Sequence, residues 1–231
     1  MTSEAHAKRK AIVEALMDLA SRRRWSEIEI KDIAQAANVS LAEFSDAFPS
    51  KGAVLGAFSR QIDRTVLEGT TDELAKEPPR DRIFDVMMRR LDALAPYKPA
   101  LRRIAKELRF DPLSLAALSR AAINSQRFML SAANISTEGP LGALKLQGAA
   151  LVFAKTLDTW LHDDDPSQAK TMARLDKELR RGERMLERAD DCRRLTAPFR
   201  AFGRAVIESC GPHRRRGRTK DGEAENPAAT I

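Results

Sequence analysis

Asp32-Ile33-Ala34-Gln35-Ala36-Ala37-Asn38-Val39-Ser40, running on through Leu41-Ala42-Glu43-Phe44-Ser45-Asp46-Ala47 to Phe48-Pro49-Ser50-Lys51, is the stretch on which the fold of this 231-residue chain turns. Ile30, Ile33, Ala34 and Ala37 recur at helical spacing and give a short helix one apolar face. Asn38 stands where the chain has to break, and asparagine tolerates the left-handed backbone better than any residue but glycine. Ser40 and Glu43 then form an S-x-x-E capping box, so a second helix starts at Leu41. Phe44 and Phe48, one turn apart, face inward, and Pro49-Ser50-Lys51 closes that helix and caps another carrying Val54, Leu55, Phe58 and Ile62. Two short helices across a tight turn form a helix-turn-helix.

Upstream, Ile12, Ala15, Leu16, Leu19 and Ala20 make one stripe of a longer helix that has to pack on this pair. Downstream, prolines separate segments of helical length and composition. The spacing predicts helices over 5–22, 30–37, 41–47, 51–76, 80–94, 98–109, 113–132, 141–162, 167–189 and 195–209. Glu27-Ile28-Glu29-Ile30 alternates like a strand but is too short to stand as one beside a helical pattern. The expected fold is all-α: an N-terminal three-helix helix-turn-helix domain (1–50), a connecting helix (51–78), a larger helical domain (79–210) and a basic disordered tail (211–231), with Pro78-Pro79 as the boundary.

A hydrophobic content of 43% suffices for a buried core. No apolar run approaches the roughly 20 residues of a bilayer span, and Met1–Lys10 lacks a signal-peptide core, so a cytoplasmic protein without membrane contact is expected. Cys192 and Cys210 lie far apart, outside any zinc or disulfide pattern. The net charge of +7 suits a polyanionic partner, and the tail from Gly211 contributes five cations against three acids. Catalysis finds no support: His6, His162 and His213 are scattered, and no nucleophile elbow, phosphate loop or paired-histidine helix is present, so no enzyme and no cofactor is expected. His162-Asp163-Asp164-Asp165 reads as the end of one helix and the cap of the next, with Asp165 preceding Pro166 at the first helical position, rather than as a metal site.

From about Ile12 to Leu55, the Asp32–Ser40 run, Phe44 and the Phe48-Pro49-Ser50-Lys51 closure resemble the TetR family of transcriptional regulators without gaps. The resemblance implies that Leu41–Ala47 is a recognition helix entering the major groove. It places Lys31, Ser40, Leu41, Ala42, Glu43, Ser45, Asp46 and Lys51 on the DNA side, Lys51 matching the family's phosphate-contacting lysine. The chain also departs from the pattern. Ile28 and Glu29 stand where a capping threonine is usual, and Ser45 and Ala47 replace an aromatic residue and a histidine that touch phosphate. A recognition helix with Asp46 and no Lys or Arg gains nothing from counterion release, so phosphate binding would fall to Lys8, Arg9, Lys10 and Arg22-Arg23-Arg24 beside it. The arginine triplet equally suits the C-terminus of the first helix. Trp25 fills a position usually aromatic in the family and is expected in the core.

For the remainder, the resemblance implies a homodimer that binds a double-stranded operator and a small apolar effector. Leu144, Gly148 and Leu151, with Met172, Leu175, Leu179 and Leu186 on the following helix, form a seam suited to a dimer interface or to intramolecular packing. Phe84, Met87, Met88, Phe128, Met129, Phe153 and Trp160 are candidate walls of an apolar ligand pocket, and would equally make an ordinary core. Thr159–Asp165 with Leu175-Asp176 is similar to the lipid-binding accessory proteins of ubiquinone biosynthesis, which share this fold without reading DNA. That similarity implies the alternative of a lipid carrier.

Overall fold

The computed structural model describes residues 3–71, 75–108 and 110–209, with side chains for 4–71, 75–108 and 110–191. Its elements, in chain order, are α1 (Ser3–Arg22), a 3-10 turn (Trp25–Glu27), α2 (Ile30–Ala36), α3 (Leu41–Ala47), α4 (Lys51–Glu68), α5 (Pro79–Leu94), a second 3-10 turn (Ala95–Tyr97), α6 (Lys98–Leu108), α7 (Pro112–Ala132), α8 (Gly142–Leu161) and α9 (Ala169–Ser209). No strand occurs among the described residues, and the all-α expectation holds. Met1–Asp190 form one compact unit; of a second, from Asp191 on, helix is described over 191–209. The predicted tail 211–231, Cys210 and the side chain of Cys192 lie outside the described residues.

α1 buries Ile12, Leu16 and Ala20 as its stripe predicts, and Val13 and Met17 widen that face. In α2, Ile33 and Ala34 are buried, but Ile30 is 40% exposed and Ile28, one residue before Glu29, takes its place in the core. Asn38 makes the turn at φ 52°, and Asn134 ends α7 in the same way at φ 52°. α4 stops at Glu68, short of the expected 76, because Gly69 caps it and the Thr70 hydroxyl donates back to the Val66 carbonyl. The two helices predicted at the C-terminus are one, α9, since no glycine or proline interrupts Ala189–Arg194.

α4 and α7 pack most intimately, and glycines set their approach. A Cβ on Gly52 would lie 2.9 Å from the Ser114 backbone, whereas one on Gly56 would meet Ala121 at an ordinary 3.7 Å. Beneath this crossing, Arg90 of α5 lies 2.9 Å from Asp63 of α4 and donates to Ser59, and Ser125 of α7 donates to Asp63. This buried pair sits in a core that runs unbroken from Ile12 to Leu175.

Candidate DNA-binding and ligand-binding sites

α3 is held at its start by the predicted box. The Glu43 N–H donates to Ser40 Oγ at 3.2 Å, and the Ser40 N–H donates to Glu43 Oε2 at 2.8 Å. The Ser40 N–H above all, then Lys8 at 2.9 Å, hold the Glu43 carboxyl down to about 2. Phe44 is buried, while Leu41, 58% exposed, joins Ala42, Ser45 and Asp46 on the outer face. The missing threonine cap of α2 is replaced from within: Asp32 Oδ2 accepts the Glu29 N–H at 3.0 Å and is bridged by Arg23 at 3.1 Å. Sequence reading missed this device, although Glu29-x-x-Asp32 has capping-box spacing.

The cations expected to serve the DNA face already have partners. Lys31 pairs with Glu29, Arg22 with Asp18, Arg24 with Glu27 and Lys10 with Glu14. Arg9 donates to the Ala47 carbonyl at the end of α3 and lies 4.1 Å from the centre of the Phe48 ring. Lys51 turns inward, donating to the carbonyls of Trp25 (2.7 Å) and Ile28 (3.2 Å), and burial pushes its ammonium below its ordinary value. Residues 1–51 hold eight Lys and Arg against eight Asp and Glu, so the module is formally neutral and the net charge of +7 resides elsewhere. Trp25 is buried as expected, and its indole N–H donates to Asp111, while Ser26 donates twice to Glu107; the body thereby grips the module.

A cavity of about 470 Å³ opens between α5, α7, α8 and α9. Of the predicted pocket residues only Met87 lines it. Met129 and Trp160 are fully buried, Phe153 lies under the Arg90 guanidinium at 4.8 Å, Phe84 and Met88 are half-buried, and Phe128 is exposed. The seam residues Leu144, Gly148, Leu179 and Leu186 line the cavity instead. Leu175 is buried within the chain, and Leu151 and Met172 are exposed. Ala149, together with Ile83, Leu130 and Val152, which sequence reading did not single out, completes the apolar wall. Their signal lay in the glycines: a Cβ on Gly148 or Gly182 would meet nothing within 4 Å, so two helix faces stand apart. Arg90, Gln126 and Val152 lie one turn from Met87, Leu130 and Gly148 on their respective helices. Arg90 Nε and Nη1 and Gln126 Oε1 are buried without partners among the described residues.

The acidic run after α8 is a joint, arranged differently from the expectation. Asp163, not Asp165, caps α9, accepting the Thr171 N–H at 3.0 Å and its hydroxyl at 2.7 Å, and α9 begins at Ala169, beyond Pro166. Hydrogen bonding from Thr171 holds the Asp163 carboxyl below the usual range. Arg102 of α6 binds Asp164 and the Leu161 carbonyl, and Lys98 donates to the Asp163 carbonyl. Among the described residues no group of His, Cys, Asp and Glu is placed to hold a metal, and no helix is long and apolar enough to cross a membrane.

An exposed, capped second helix of a helix-turn-helix is thus set on a helical body with an apolar cavity. The fold is that of the TetR-type transcriptional regulators. The chain is similar to a TetR transcriptional regulator from Nitrosomonas europaea (22% identity, TM-score 0.57, covering 76% of this chain and 97% of that one). It is also similar to one from Rhodococcus sp. RHA1 (20% identity, TM-score 0.56, covering 78% and 97%). No family model and no curated protein sequence matches the chain.

Proposed function

We propose that the protein is a transcriptional regulator, a repressor in the cytoplasm, whose homodimer binds an operator through α3 and responds to a small apolar ligand. The observation that carries this reading is the outer face of α3, capped at Ser40 and left open at Leu41, Ala42, Ser45 and Asp46. A face held rigid by a full capping box and covered by no described element suits insertion into a groove. In this reading residues 1–50 bind DNA, 51–78 connect, and 79–210 bind the effector and dimerise. Leu151 and Met172, apolar and exposed on α8 and α9, suit the two-fold contact. The cavity suits the effector, with a largely apolar wall. Ligand binding would then shift the spacing of the paired recognition helices. The test is a gel shift of the purified dimer with DNA flanking its own gene across a salt series; absence of binding at low salt, with and without candidate ligands, overturns the reading.

One observation favours a second reading, a lipid-binding protein on this fold that does not read DNA: all eight Lys and Arg of residues 1–51 are engaged within the protein. Mass spectrometry of lipids that co-purify with the protein separates the two. Abundant bound isoprenoid with no operator supports the carrier.

A further inference from the structure

Arg9 of α1, Arg60 of α4 and Arg120 of α7 line a cleft of about 310 Å³ beside the Ala47-Phe48-Pro49 end of α3. Its remaining wall is small and apolar or neutral, built largely of Gly52, Gly56, Ala117 and Ala121, and no described carboxylate lines it. Unlike the cations of residues 1–51, Arg60 and Arg120 have no hydrogen bond or ion pair among the described residues. A Cβ on Gly56 would stand 3.8 Å from Arg60 Nη1, so that guanidinium lies back over the bare glycine. Arg9 gives the Ala47 carbonyl one of its five N–H groups. Asp63, the carboxylate whose charge reaches Arg60, is committed to Arg90 and Ser125 on the core side.

We infer that this cleft is a binding site for a small phosphate-bearing anion, a di- or oligophosphate group free in solution. Three guanidinium groups gathered in one concavity without a counter-charge repel one another until an anion enters, and the planar fork of arginine matches phosphate oxygens in pairs. The volume lies at the low end of small-molecule pockets, which suits a small anion. A bound anion would tie α1, α4 and α7 together. It would also share Arg9 with the C-terminal carbonyl of α3, which places the site where it can alter the seating of that helix. The proposal does not depend on whether α3 reads DNA.

The test is isothermal titration calorimetry of the full chain with sodium pyrophosphate in chloride buffer at fixed ionic strength. The expected result is saturable binding, one site per chain, weakened about tenfold or more in the double variant Arg60→Gln/Arg120→Gln, as loss of charge-assisted hydrogen bonds requires. Both side chains are exposed, so circular dichroism and Tm should match the parent, and Arg103→Gln, outside the cleft on α6, should bind as the parent does. No saturable heat from the parent chain, or equal binding by the double variant, overturns the site. So does a result in which pyrophosphate gives no heat while the double variant loses affinity for random-sequence duplex, since the cleft would then serve a DNA backbone phosphate.

Discussion

Because its carboxylate accepts from Ser40 and faces Lys8, Glu43 is held at about 2, below the value of the unfolded chain, and so supports the fold only while ionised. That contribution is fully present above the unfolded pKa and drains away as pH falls from about 5 toward 2. Glu43→Gln keeps a box-competent side chain but removes the charge. Urea unfolding of this variant should show a flatter loss of stability over that window than the parent; identical slopes would remove Glu43 from the acid response. Asp46 is the other carboxylate of α3, exposed and pointing outward. If α3 lies on DNA, Asp46→Lys should tighten non-specific binding and steepen the salt dependence by about 0.9 for each further phosphate neutralised. An unchanged slope in a filter-binding salt series would place this face away from the backbone.

Among the elements, the α4–α7 crossing makes opposite demands on two glycines four residues apart. Gly52→Ala forces a Cβ to within 2.9 Å of Ser114 backbone, and overpacking of that kind costs about 1–3 kcal/mol. Gly56→Ala meets Ala121 at 3.7 Å and Arg60 Nη1 at 3.8 Å, both ordinary contacts, so helix propensity should prevail and stabilise by about 0.5–1 kcal/mol. Thermal unfolding of the two variants should move in opposite directions. If both lower Tm alike, the crossing is not set by the approach at Gly52. Nothing in the spacing of α4 distinguishes these positions, since both are glycines on an apolar face and their difference lies in residues more than 60 positions away.

Across the molecule as a whole, two features join elements that are distant in the chain. Arg90 and Asp63 bind α5 to α4 within the core, and burial pushes the Asp63 carboxyl up while Arg90 opposes it. Arg90→Met should cost about 3–5 kcal/mol, because it strands a buried carboxylate. The variant's Asp63 would then be neutral in the folded state with a raised pKa, so its deficit should be smaller near pH 5 than at pH 7, and Asp63→Asn in the same chain should recover part of the loss. Chemical denaturation at both pH values measures this; a deficit independent of pH would mean the carboxylate is not carrying it. The cavity is the second feature. Gly148→Leu projects a side chain into open space and should abolish uptake of an apolar fluorescent probe while leaving the helical circular dichroism intact. Retained uptake would place the probe site elsewhere.

Residues 30–51 were legible because every signal there is local: a turn residue at Asn38, a box from Ser40 to Glu43 and a closure at Pro49-Ser50-Lys51 act over four positions or fewer. Caps and periodicity likewise placed most helices; at Glu68 the reading passed over the stop at Gly69, and through Ala189–Arg194 it divided a helix that has no breaker. Trp25 could be assigned to the core from its chemistry, but not its bond to Asp111. Which apolar residues would form a wall and which a filled interior was not legible, because Met87 and Met129 look alike until their helices are packed. The inward turn of Lys51 and the gathering of Arg9, Arg60 and Arg120 are of the same kind. Thus the sequence by itself determined the helices, the turn and the caps, which depend on neighbours within a few residues. Only the tertiary structure decided where charge is cancelled, where it accumulates and where space is left empty, since those follow from which distant side chains the packed helices bring together.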